Sequence, residues 1–89
     1  MTLENIRKEI DLIDEQIIEL LETRMSFVEK VISAKEKENI RVLDPKREKY
    51  ILEKIEKKIE NPHYESSIQS IYTEIMRCSR DYQEKNRFK

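Results

Sequence analysis

Apolar residues recur along the first third of the chain at Leu3, Ile6, Ile10, Ile13, Ile17 and Leu20, and again at Phe27 or Val28 and Val31. Spacings of three and four in alternation are those of one buried helix face. Two long cations, Arg24 and Lys35, occupy positions where this stripe calls for apolar side chains. At about 100° per residue, the step from Arg24 to Lys35 brings the second side chain to within about 20° of the first. Both cations therefore point toward the interior. An unpaired buried charge costs several kcal/mol, so an anion is expected beside them, supplied either by the protein or by a ligand.

Thr2 or Asn5 can cap this first helix, and the periodicity persists to about Glu38, roughly 35 residues or about 50 Å. A compact chain of this size has a radius of gyration of about 12 Å, so the helix must project beyond its own fold. Its apolar stripe needs a second subunit. The pattern breaks over residues 39–43, and Asp44-Pro45 restarts it with an N-cap and a proline at the first helical position. A second helix then carries Ile51 or Leu52, Ile55 and Ile59 inward and stops near Asn61-Pro62. The third has a stripe of Tyr64, Ile68, Ile71 and Ile75 that turns polar at Ser79 and Gln83. The charged tail from Glu84 to Lys89 is expected to fray. The fold class is all-α: a three-helix protomer with one very long N-terminal helix, forming a single domain over residues 1–89.

Composition narrows the chemistry. The chain of 89 residues contains no glycine, which removes phosphate-cradling loops and the usual left-handed helix caps. With 42% charged residues and a net charge of −1, it lacks the basic excess of a nucleic-acid binder. One Cys and one His make neither a zinc site nor an internal disulfide, and no cofactor is expected. Cys78 is expected to pack as a small apolar residue, and His63, after Pro62, to lie in a surface turn. There is no apolar signal segment and no run approaching the ~20 residues of a membrane span. A soluble cytoplasmic protein is expected.

Three segments offer polar groups to one interior: Arg24 and Lys35 from the first helix, Asp44, Arg47 and Glu48 from the start of the second, and Ser79 and Gln83 from the third. Cations dominate, and the helix N-terminus at Asp44 adds N–H groups and a positive dipole end. The set describes a small pocket for a carboxylated ligand with a hydroxyl that Glu48 would accept. Each member also has a plainer reading. Arg24 can snorkel to solvent or pair with Glu48, Lys35 can simply complement the end of its helix, and Arg47 and Glu48 can lie on a solvated first turn.

The ordered string Ile6-Arg7, Ile13-Asp14-Glu15, Leu20-Leu21, Thr23-Arg24, Ala34-Lys35, Asp44-Pro45-Lys46-Arg47-Glu48, Ser79 and Gln83 resembles the all-helical (type II) chorismate mutases, of the stand-alone bacterial kind. That resemblance implies an intertwined homodimer that rearranges chorismate to prephenate on the way to phenylalanine and tyrosine. It implies that Arg24 holds one substrate carboxylate and the partner's Arg7 the other. Lys35 and Gln83 would hydrogen-bond the ether oxygen, and Glu48 would accept from the ring hydroxyl. Arg47, Ser79 and the backbone at Asp44 would complete the contacts. The reaction is unimolecular and needs no nucleophile, so a scarcity of His and Cys is no objection. Helix geometry agrees on Arg7: it lies about 25 Å along and about 100° around the helix from Arg24, too far for one small ligand to bridge within a chain.

One departure stands out. Some relatives have an additional Arg just before the Asp; here Leu43 holds that place and Arg41 lies two residues earlier, which bears on substrate affinity. The chain carries no dehydratase, dehydrogenase or aldol synthase segment, so a free-standing enzyme is expected. Two other readings compete: an isochorismate-pyruvate lyase on the same fold, and a non-enzymatic helical dimerisation module in which Arg24 and Lys35 pair with acidic residues across the dimer.

Overall fold

Thr2 sets the start of the long helix, its Oγ1 accepting from the Asn5 N–H at 3.1 Å; the cap is Thr2 and not Asn5. From there α1 runs over Leu3–Glu38, followed by α2 at Pro45–Lys58, a 3-10 turn at Pro62–Tyr64 and α3 at Glu65–Asn86. The computed structural model describes residues 1–87, among which there is no strand. The all-α reading holds. No helix among these residues is long and apolar enough to cross a membrane.

The length argument holds as well. The chain extends 53 × 26 × 15 Å with a radius of gyration of 16.1 Å, well above the compact value of about 12 Å. Both α1 and α2 pack on α3, but only the C-terminal part of α1 takes part in burial. Val28, Ile32, Val42 and Met76 form the buried apolar core. Leu3, Ile6, Ile10, Ile13, Ile17 and Leu20 are exposed in the protomer. The sequence stripe is thus an interior face only over its last third, where burial falls on Val28 and Ile32; Phe27 and Val31 remain exposed.

Glycine is absent, yet α1 ends in a left-handed cap. Asn39 adopts φ 56° and ψ 43°, and asparagine is the side chain other than glycine that best tolerates this region. The Asn39 N–H donates to the Glu36 carbonyl at 3.3 Å and the Ile40 N–H to the Lys35 carbonyl at 2.8 Å. This is the paired bonding of a Schellman motif. It reverses the chain sharply, so that Val42, within the segment the sequence reads as a plain loop, is buried against the end of α1.

Asp44 caps α2 as expected, its Oδ1 accepting from the Arg47 N–H at 3.1 Å, with Pro45 at the first helical position. Ile51, Leu52, Ile55 and Ile59 are half-buried. Asn61 Oδ1 then accepts from the His63 N–H at 2.9 Å, and His63 lies exposed in the turn as the sequence indicates.

Three expectations for the third helix are corrected. Tyr64 lies in the 3-10 turn, and both it and Ile71 are exposed; Ile68 and Ile75 do face inward, and with Tyr72, Met76, Ser79 and Gln83 they make up the inward face. The face is rotated because α3 packs against two helices, and spacing alone does not fix which of two adjacent rows meets them. Cys78 is exposed and not packed, with Sγ against the carboxylate of Glu74 and the guanidinium of Arg77. The segment from Glu84 does not fray at once: α3 continues to Asn86, and Asn86 Nδ2 donates to the Tyr82 carbonyl at 2.9 Å. Phe88 and Lys89 lie outside the described residues. The Tyr82 hydroxyl donates to Glu29 of α1, and that bond to a carboxylate raises the phenol above its ordinary pKa.

Asn39 provides a direct test of the turn. Asn39→Gly should leave stability unchanged or slightly increased, whereas Asn39→Val should lower it by about 1–2 kcal/mol, the cost of a left-handed residue with a β-branched side chain, as read from urea denaturation.

Candidate active site

The Schellman turn carries the chain back over Lys35. Its Nζ donates to the Val42 carbonyl at 2.6 Å and to Gln83 Oε1 at 3.1 Å. Gln83, one helical turn beyond Ser79 on α3, donates through Nε2 to Ser79 Oγ at 3.2 Å. Ser79 and Gln83 are both buried, the latter only 6% exposed. The contact from Lys35, which can only donate, fixes which end of the Gln83 amide is oxygen.

A hydrogen-bond inventory of this cluster leaves donors over. An ammonium has three N–H donors and a primary amide two. Lys35 uses two and Gln83 one, so each retains a hydrogen beside the other. Their remaining contacts are held in place by a backbone carbonyl and by a buried hydroxyl.

The cluster lines a cleft of about 340 Å³. Seven of the eight residues expected at the site line it: Arg24, Lys35, Asp44, Arg47, Glu48, Ser79 and Gln83. The exception is Arg7, which sits on the exposed N-terminal half of α1, about 25 Å along the helix from Arg24. Val28, Val42, Ile51 and Met76 supply apolar wall, and a low-dielectric wall strengthens the field of the charges beside it.

Arg24 is half-buried, and it forms no ion pair or hydrogen bond among the described residues. Of its two plainer readings, the structural pair with Glu48 is overturned. Glu48 is instead engaged by Arg80, whose Nη1 donates to both carboxylate oxygens at 2.6 Å. Arg47 is exposed and lies over the Tyr50 ring, 5.2 Å from its centroid. Lys35 is more than a cation at a helix end, since its ammonium is turned into the fold.

The α2 N-terminus contributes less to anion binding than its position indicates. Pro45 has no N–H, and that of Arg47 is taken by Asp44. A ligand would meet the dipole but few free amides.

Arg80 and Val42 are the site residues that sequence reasoning missed. Arg80 had a legible signal: Met76, Ser79, Arg80 and Gln83 are spaced as one helix face, so a cation at 80 had to face the same interior as Ser79 and Gln83. Val42 contributes a carbonyl, to which side-chain patterns give no clue.

The cleft therefore presents a guanidinium with no partner among the described residues, two donors with spare hydrogens and a carboxylate; no His or Cys lines it, and its one hydroxyl, on Ser79, is bonded to Gln83. It suits a small polyanion bearing a hydroxyl. Similarity to known proteins points the same way. A bifunctional chorismate mutase/prephenate dehydratase of Aquifex aeolicus is 43% identical over 53 residues, which are 60% of this chain and 15% of that protein. A chorismate mutase of Methanocaldococcus jannaschii is 44% identical over 55 residues, 62% of this chain and 56% of that one. The chain thus spans about half the length of the second relative and far less of the first. The chorismate mutase type II model matches residues 6–84, which take in every residue placed at the cleft, and the chain belongs to that family.

Proposed function

We propose that residues 1–89 form one mutase domain that rearranges chorismate to prephenate in the cytoplasm, on the route to phenylalanine and tyrosine. The observation that carries this reading is the pair of spare donors on Lys35 and Gln83, in the same cleft as Arg24, which has no partner among the described residues.

Chorismate is a dianion whose rearrangement breaks an ether C–O bond as a C–C bond forms, with no proton to transfer. Arg24 binds one carboxylate and holds the side chain folded over the ring, which supplies the orientation that the reaction lacks in water. Negative charge grows on the ether oxygen as the C–O bond lengthens. The spare hydrogens of Lys35 and Gln83 stabilise that charge more in the transition state than in the ground state, and their positions are set before substrate arrives. Glu48 accepts from the ring hydroxyl, while Arg47, Ser79 and the segment at Asp44 complete the contacts.

The second carboxylate requires Arg7 of the partner subunit. An apolar groove of about 700 Å³ adjoins the cleft, with Arg24, Arg47 and Ile51 on the wall of both. Ile55, Ile59, Ile68 and Tyr72 continue it along α2 and α3. The exposed stripe from Leu3 to Leu20 has the length and character to fill such a groove on a second copy, and an intertwined homodimer would satisfy both surfaces at once.

Purified protein should consume chorismate, seen as loss of its absorbance, and yield prephenate, confirmed by acid conversion to phenylpyruvate. Lys35→Met and Gln83→Ala should each lower kcat by about 10²- to 10³-fold, and Arg24→Ala should abolish measurable turnover. A folded protein that leaves chorismate intact and cleaves isochorismate would instead be a lyase. Because Gln83 does not titrate, kcat should change little between mildly acidic and neutral pH; a steep acidic optimum counts against its role. The dimer has its own test. Arg7→Ala and Arg24→Ala variants, each inactive alone, should regain about a quarter of parental activity when refolded together in equal amounts, because half of the dimers then carry one intact site. No recovery would mean that Arg7 does not act across the interface.

A further inference from the structure

We infer that Arg80 is a positioning residue of this site, one that holds Glu48 away from Arg24 and offsets its charge so that Arg24 stays free to bind a carboxylate. The inference rests on the chorismate reading above and adds to it a residue on which that reading does not draw. Four cations line the cleft, Arg24, Lys35, Arg47 and Arg80, against two carboxylates, Asp44 and Glu48. Asp44 is committed to its cap and Lys35 to Val42 and Gln83. Glu48 is therefore the one carboxylate of the cleft not committed to a helix cap, held by Arg80 alone, and Arg24 the cation with no hydrogen bond, ion pair or ring contact among the described residues.

Left to themselves, those two would pair. A half-buried carboxylate is costly without a cation; Arg47 lies over the Tyr50 ring, which leaves Arg24 in the same cleft, and a Glu48–Arg24 pair would have to be broken each time a substrate carboxylate entered. A bare Glu48 would also repel an incoming dianion. Arg80 removes both obstacles. Its Nη1 bridges the two oxygens at 2.6 Å each, with the Arg80 and Glu48 side chains 32% and 25% exposed. Since a carboxylate offers about four lone-pair sites, Glu48 can keep this bridge and still accept from a ligand hydroxyl. Arg80 itself need not touch the substrate.

A purely structural salt bridge would affect folding and leave the kinetics of a folded variant alone. A positioning role affects KM first. With Arg80 truncated, free enzyme is held in the Glu48–Arg24 pair, which weakens binding before it slows chemistry.

The test is a kinetic cycle of Arg80→Met, Glu48→Gln and the double variant, with Arg80→Lys alongside, on protein shown to be folded by circular dichroism and thermal melting. Arg80→Met should raise KM for chorismate by on the order of 10-fold with a smaller change in kcat, the scale of losing one charged partner at a partly exposed pair. Arg80→Lys should recover most of that loss. In the Glu48→Gln background, the same Arg80→Met change should move KM by less than about twofold, because no carboxylate remains to be restrained. An unchanged KM in Arg80→Met, or an equal rise in both backgrounds, overturns the role while leaving the mutase reading intact. A folded parent that does not convert chorismate overturns that reading first, and this role with it.

Discussion

The Lys35 ammonium is the point at which the three segments of this protein are joined. It leaves the last turn of α1, donates to a carbonyl in the following turn and reaches an amide on α3. Each acceptor exists for a separate local reason. Val42 is in place because Asn39 tolerates a left-handed cap, and Gln83 because its Nε2 is held by Ser79 one helical turn back. A half-buried ammonium is costly unless its hydrogens are satisfied. The fold satisfies two of the three and leaves one over on a side chain that lines the cleft. The bonds that make the charge tolerable also aim it, so in this protein the requirement for stability and the requirement for preorganisation are met by the same contacts.

The other cations are handled differently, and the contrast is informative. Arg77 lies outside the cleft and is bound by Glu74 and Asp81 on the surface of α3, where such pairs contribute little to stability. Arg80, one turn nearer the site, is held by Glu48. Arg24, on α1 and in the same cleft, has no counter-ion among the described residues. The protein carries enough carboxylates to neutralise all of them; 19 acidic residues face 18 basic ones along the chain. Leaving Arg24 unpaired is thus a matter of arrangement and not of composition, as expected where a ligand is to supply the missing charge.

Much of this was legible in the residues alone. The Asp44-Pro45 start, the length of α1, and the convergence of Arg24, Lys35, Glu48, Ser79 and Gln83 all follow from periodicity and helix-end chemistry, and the cleft gathers them. What was not legible has a common cause. On α3 the stripe holds at Ile68, Ile75, Ser79 and Gln83 but not at Tyr64 and Ile71, and the covered face takes in Tyr72, Met76 and Arg80 instead. The apolar pattern there is broad, and contact with two helices decides which edge of it is covered. Val42 was invisible because its contribution is a carbonyl in a turn whose geometry depends on Asn39. Cys78 departs from its expected burial because that burial is a tendency of the residue type, while Glu74 and Arg77 make its own position polar. Side-chain patterns report faces; backbone acceptors and the choice between adjacent rows are tertiary facts.

The N-terminal half of α1 follows from the same constraints. Within the protomer it covers nothing, and its isoleucines and leucines face solvent, a larger apolar stripe than a solitary soluble chain ordinarily tolerates. Helix geometry also prevents Arg7 from reaching the cleft of its own chain. If both were absent, α1 could end near its core contacts and the fold described here would lose none of its buried residues. In the proposed dimer the two features have a single explanation: the stripe fills the groove beside the partner's cleft, and the groove's shared wall at Arg24, Arg47 and Ile51 brings the incoming helix toward the site that still needs a cation. Assembly and activity would then be one event, with the last charge of each site delivered by the same helix that buries the apolar surface.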